Sequence, residues 1–211
     1  MNSVIKACFI ALFIALLPVV AFYLFLPQSQ FAYNFGLIPG DVQHLQGVFL
    51  MPFAHADSGH LWGNTMQLFF GVLLVFLHFR YLSKTIMFIQ WVGTGLILFF
   101  IGKTESLHIG SSGIIYGLFS FLILAGFIAG NRRLRLQSFM LLMYYGGMVW
   151  GIFPWQEKVS WEGHLSGAIA GTLSAIILSK WYRTFTRDKR PAWFYDSAKW
   201  EDPYSRFNRK D

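Results

Sequence analysis

The sequence predicts an all-α membrane protein, a bundle of six transmembrane helices with a long outer loop after the first. Three observations carry that expectation. Hydrophobic residues make up 55% of the chain and charged residues 13%, with a mean hydropathy of +0.47. That balance suits a helical membrane protein and is wrong for a soluble globule. Apolar stretches recur at 7–26, 60–79, 85–102, 112–129, 136–153 and 163–179, near the length that crosses a hydrocarbon core. The basic residues, finally, sort onto one set of alternating loops.

The first stretch, Ala7 to Leu26, is uncharged and follows Lys6. It is longer than the apolar part of a cleaved signal peptide, and no convincing small-x-small cleavage site follows it, so an anchor is expected. Pro18 inside it gives a kink at most. Pro27 to Gly59 is a connection with three prolines, two aspartates and no Lys or Arg. Its apolar patches, Phe31 to Phe35 and Val48 to Phe53, suggest a structured loop lying partly at the membrane interface, a level aromatic residues favour.

The second span, His60 to Phe79, is closed by Arg80 and Lys84; the third runs from Thr85 to Gly102. A short loop, Lys103 to Ser111, precedes the fourth span, Ser112 to Ala129, which Arg132, Arg133 and Arg135 close. The fifth covers Leu136 to Phe153, a loop follows to Glu162, and Gly163 to Ser179 is the sixth. This membrane domain, 1–180, leaves a basic, aromatic-rich tail, 181–211, with no apolar span. Single-domain size fits 211 residues. The single Cys8 excludes an intrachain disulfide.

Assigned to alternate sides, 15 of the 17 basic residues fall together, and only Lys103 and Lys158 lie opposite. The positive-inside rule then places both termini in the cytoplasm. The formal charge of +7 and pI near 9.6 are explained by this sidedness. The tail is read as a segment beside anionic lipid, and no nucleic-acid partner is expected. No cofactor is expected either: His55 and His60, at i and i+5, are a poor zinc pair with no third ligand nearby in sequence.

Three polar motifs open the even-numbered spans, which all start on the outer side. His60 and Asn64 share a face of the second at i, i+4. Ser112, after the tight Gly110-Ser111 turn and before Gly113, starts the fourth, where unpaired N–H groups and the dipole favour negative charge; Tyr116 lies one turn on, and Gly117 follows it. His164, after Gly163, starts the sixth and shares its face with Gly167 and Gly171, which admit a close neighbouring helix. The fourth span is roughly 27 Å long at 1.5 Å per residue, slightly short for a ~30 Å core. Ser112 is therefore expected below the outer surface, with the preceding loop dipping in, an arrangement that requires a wet cavity or protein cover.

Taken together, Gly110-x-Ser112-Gly113 with Tyr116, Gly163-His164 with Gly167 and Gly171, and His60-x-x-x-Asn64 resemble the signature set of the rhomboid intramembrane serine proteases, over roughly Phe53 to Ser179. One departure is that many bacterial rhomboids have a Trp-Arg pair in the first loop, and this loop has no Arg. The resemblance implies a six-span rhomboid-like bundle and a Ser-His dyad, with Ser112 as nucleophile and His164 as general base and acid. It implies that His60, Asn64 and the Ser112 N–H hold the oxyanion and that Tyr116 packs on the His164 ring. It also implies single-span membrane proteins as substrates, cut near the outer end of the span, and the fifth span as a lateral gate.

Each motif alone has a blander reading: a helix cap for Ser112, helix packing for the glycines, an interhelical hydrogen bond for His60 and Asn64. Glu162 lies on another face from His164, so no carboxylate completes a triad. His55 is expected to support the loop, His78 and His108 to be loop or interface residues; His44 carries no signal. The alternatives are a catalytically inactive rhomboid-like protein that binds membrane clients, and a small transporter or channel. The first typically lacks the Ser or His that this chain keeps; the second needs paired charges or inverted repeats, which the chain does not display. The expected home is a bacterial inner membrane, with the active site facing outward.

Overall fold

The computed structural model describes residues 3–25, 28–129, 132–155 and 159–187. The remaining positions, including the tail from 188 to 211 and Lys158, lie outside the described residues. In chain order the elements are α1 (Ser3–Leu24), α2 (Gln28–Phe35), a 3-10 turn (Val42–His44), α3 (Gly47–Leu50), a 3-10 turn (Met51–Phe53) and α4 (Ser58–His78). They continue with α5 (Ser83–Phe88), a π turn (Ile89–Gly93), α6 (Thr94–Ile101), α7 (Ser112–Ile128), α8 (Arg132–Tyr145), a 3-10 stretch (Gly146–Ile152) and α9 (Trp161–Arg187). Among the described residues the one extended pairing is an isolated bridge between Leu37 and His108.

All six apolar stretches are therefore helical. Three helical runs among the described residues, Ser3–Leu24, Ser58–His78 and Ser83–Ile101, are long and apolar enough to cross a membrane; Ser112–Ile128 is apolar but shorter. Two boundaries differ from the sequence reading. The last helix does not stop at Ser179 but runs on to Arg187. The fifth stretch is α-helical only to Tyr145 and tightens to 3-10 geometry through Ile152.

The helix α7 is the centre of the bundle. Residues all around it, from Ile114, Leu118 and Phe121 to Phe119 and Leu122, are buried, as a helix apolar on every face requires. α4 turns inward Leu61, Asn64, Thr65, Leu68, Val72 and Val75, a stripe of helical period that carries Asn64 into the interior. α1 packs on α4 through Ala7, Ala11, Ala15, Pro18 and Ala21, while Phe9, Phe13 and Leu24 point outward. Small residues inside and large apolar ones outside are the pattern of helices packed in lipid.

The closest helix contact is between α7 and α9. A Cβ on Gly167 would run into the Gly113 carbonyl, and one on Gly171 into the Gly117 carbonyl. The two backbones touch at glycines one turn apart on each helix. A polar link ties in the third stretch: Gln90, fully buried at the π turn, donates from Nε2 to Ser174 Oγ at 2.8 Å. Gly117 is the position against which the Gln90 amide rests.

The connection from 28 to 57 folds into short helical pieces that hold the loop before α7. Leu37 and His108 exchange both backbone hydrogen bonds, at 2.9 and 2.8 Å, and Gly110 N–H donates to the Met51 carbonyl at 2.9 Å. Asp41 caps the first 3-10 turn by accepting from the Gln43 N–H and bonding the His44 ring. Those two contacts, the Gln43 N–H first, hold its carboxyl below the usual range.

Candidate active site

Ser112 stands at the first residue of α7. The chain reaches it through Gly110, whose φ of +98° lies in the left-handed region that favours glycine. Space demands glycine there as well. A Cβ on Gly110 would lie 2.9 Å from His60 Nε2 and 3.3 Å from Asn64 Nδ2. Two potential donors from α4 thus converge on the backbone two residues before Ser112. α4 itself starts cleanly, because the Asp57 carboxylate accepts from the His60 N–H at 2.9 Å.

His164 is one-tenth exposed and has both ring nitrogens engaged. Nε2 lies 3.0 Å from Ser112 Oγ and Nδ1 lies 2.9 Å from the Gly151 carbonyl. A carbonyl only accepts, so in the neutral ring Nδ1 carries the proton. Nε2 is then the acceptor, and the Ser112 hydroxyl donates to it. Among the described residues no carboxylate takes part in this arrangement, and the backbone of the 3-10 stretch fills the orienting place. The Tyr116 ring stacks on His164 at 4.1 Å between centroids and 9° between planes, and its hydroxyl donates to the Met148 carbonyl at 2.9 Å. Gly151 has no room for a side chain, since a Cβ would strike the Tyr116 hydroxyl.

A cavity of about 840 Å³ joins these groups, lined by His60, Asn64, Ser112, Tyr116 and His164, with Asp57, Lys103 and Glu162 also on its wall. The three motifs, with His60, Ser112 and His164 each 52 residues from the next, thus meet at one cavity at the starts of α4, α7 and α9. Gly113, Gly117, Gly167 and Gly171 sit between α7 and α9, where they set the approach that brings Ser112 to His164.

Other partners were not anticipated from sequence. His55 is fully buried, and its Nε2 lies 3.2 Å from Asn64 Nδ2. Its ring stands edge-on to His60 at 4.9 Å. Burial, with the neighbouring His60 adding to it, pushes the His55 ring down to about 4. His108, read from sequence as a loop or interface residue, is buried in its loop; its Nδ1 lies 2.6 Å from Ser160 Oγ, and burial lowers its pKa. Ser160 in turn accepts at its backbone oxygen from the His164 N–H. The position of His55 five residues before His60 was the available signal for the first contact. The Gly151 carbonyl has no side-chain signature at all.

The Rhomboid domain profile matches residues 42–181. The chain belongs to the rhomboid family, as an all-helical integral membrane protein. Among its relatives, uncharacterized proteins Mb1372 of Mycobacterium bovis and Rv1337 of Mycobacterium tuberculosis are each 35% identical over 177 residues, covering 79% of this chain and 72% of theirs. Uncharacterized protein ML1171 of Mycobacterium leprae is 35% identical over 145 residues, 64% of this chain and 57% of its own length. These relatives carry no assigned activity, so the likeness speaks to family alone.

Proposed function

We propose that this chain is an intramembrane serine endopeptidase working through a Ser112–His164 dyad. The observation that carries the reading is the 3.0 Å contact between Ser112 Oγ and a His164 ring whose other nitrogen is committed to Gly151. In the first half-reaction Ser112 Oγ attacks the scissile carbonyl carbon while its proton passes to His164 Nε2. The developing oxyanion is held by the Ser112 N–H, unpaired at the helix start, and by the His60 ring and Asn64 amide that converge over Gly110. Collapse breaks the C–N bond, and His164 gives its proton to the leaving amine. Water, deprotonated by the same ring, then releases the acyl group and restores Ser112.

The same reading fixes the surroundings. Six spans, the outer long first loop, the cytoplasmic termini and the outward-facing cavity follow from the split of basic residues and from the common side on which α4, α7 and α9 begin. The membrane domain 1–180 and a basic cytoplasmic tail are its two parts. Substrates are single-span membrane proteins presented from the bilayer, and the mycobacterial relatives favour a bacterial plasma membrane. No cofactor or nucleic acid enters the reaction.

A fluorophosphonate probe with mapping of the modified residue tests the proposal. Wild-type protein is expected to carry the adduct on Ser112, and Ser112→Ala to carry none. Equal labelling of both proteins, or an adduct elsewhere, would remove Ser112 from the role. A folded wild-type protein that never labels and never cleaves fits the client-binding alternative instead.

A further inference from the structure

We propose that His55 is a positioning residue that fixes the direction of the Asn64 amide, and through it the oxyanion donor. The inference rests on the protease reading above and extends it to a residue outside the dyad and its donors. An asparagine side chain presents an N–H pair at one end and an oxygen at the other, and a buried amide takes whichever orientation its neighbours accept. Here the nitrogen end faces His55 Nε2 at 3.2 Å, with His55 fully buried and Asn64 nearly so. With that nitrogen as acceptor, one Nδ2 hydrogen is bound to His55 and the other is left for the cavity that Asn64 lines.

The reversed amide would turn its oxygen toward the same place. An oxygen lone pair beside the developing oxyanion repels it, so the wrong orientation converts a stabilising group into an opposing one. A neutral His55 that carries its proton on Nδ1 prevents this, because an unprotonated Nε2 has nothing to donate to an amide oxygen. Its burial favours the neutral ring well below neutral pH. The ring is held in place by its edge-on contact with His60, so one histidine supports both side-chain donors. A buried polar contact that serves only the loop would have no reason to end on the amide that reaches the cavity.

The test is a double-mutant cycle on full-length protein in detergent or liposomes, with cleavage of a tagged single-span substrate and fluorophosphonate labelling as readouts. His55→Leu removes the acceptor; His55→Gln keeps an acceptor near the Nε2 position. The expected result is a fall in kcat on the order of tenfold for His55→Leu, smaller than loss of an oxyanion donor itself, with KM within about twofold. His55→Gln should recover most of the rate. In an Asn64→Ala background, removing His55 should change the rate by less than about twofold, because its effect passes through Asn64. Full activity in His55→Leu overturns the proposal. So does a loss as large in His55→Gln as in His55→Leu, or the same fold-loss with and without Asn64. If wild-type activity proves independent of Ser112, the protease reading falls and this inference with it. Ser112-dependent activity with an additive cycle removes only the role of His55.

Discussion

On the proposed reading Ser112, His164 and Asn64 have separable tasks, and substitution should sort them. Ser112→Ala removes the nucleophile and His164→Ala its base, so each should abolish cleavage, and the double mutant should be no worse than either. Asn64→Ala leaves His60 and the Ser112 N–H in place. Loss of one oxyanion donor typically lowers kcat on the order of 10²–10³, and a remaining side-chain donor makes the lower end the expectation. Weak cleavage and slow fluorophosphonate labelling should survive in Asn64→Ala, with thermal melts confirming the fold; a wild-type rate there would dismiss Asn64 as a donor. A pH effect on stability follows from His55. Its folded pKa is pushed down to about 4 from an ordinary value of 6.5. Between those values the unfolded chain holds the proton and the folded chain does not. The stability tied to a neutral His55 is thus complete above pH ~6.5 and is lost as the pH falls toward ~4. Melting temperatures at pH 7 and 5 should drop more for wild type than for His55→Gln; equal drops would argue against a buried neutral ring. At this scale the sequence was readable where polar side chains line the cavity. Ser112, His164, His60 and Asn64 stood out because hydroxyl, imidazole and amide groups are conspicuous in apolar helices. The Gly151 carbonyl was not readable, since every residue has one and only folding decides which is free to accept.

Helix contacts decide whether those side chains meet. The Gly167 and Gly171 positions press against α7 carbonyls, so a larger residue must push two helix backbones apart. Overpacking a core commonly destabilises by about 1–3 kcal/mol. Gly167→Val is expected at the upper end, with loss of activity as His164 is drawn off Ser112. Gly63→Ala is the matched control, because nothing lies within 4 Å of its added Cβ; melts and cleavage should leave it close to wild type. If Gly167→Val behaves like Gly63→Ala, the backbone contact is not what aligns the dyad. The 3-10 stretch 146–152 makes a second element-level claim. Gly151→Ala sets a methyl against the Tyr116 hydroxyl and should lower kcat on the order of 10–100-fold by displacing the ring it stacks with. Adding Tyr116→Phe removes the obstructing oxygen and should return part of the rate. No recovery in the double mutant would count against this geometry. Glycine spacing made the α7–α9 contact readable in advance. The π turn at 89–93 and the 3-10 end of the fifth stretch were not, because they answer to partners far along the chain, such as Ser174 for Gln90 and Tyr116 for Gly151.

For the whole molecule, the sidedness of charge and the convergence of three helix starts make one statement about orientation. Charge patterning carries the expected topology, because lipid penalises charge wherever a helix crosses. The expectation that motifs opening alternate spans lie together agrees with the one cavity that His60, Ser112 and His164 line. Charge patterning did not reveal that the last helix continues to Arg187, because a polar sequence also forms helix and apolar periodicity does not mark its end. A reporter active only outside the cytoplasm, fused after Asp211, should stay silent in a bacterial host; strong activity there would refute the six-span arrangement.

The most direct measurement is cleavage of a panel of tagged single-span membrane proteins by purified wild type and Ser112→Ala in the same liposomes. Wild type is expected to cut at least one member within or beside its membrane span, and Ser112→Ala, equally folded, to cut none. Cleavage that persists undiminished in Ser112→Ala would contradict that expectation.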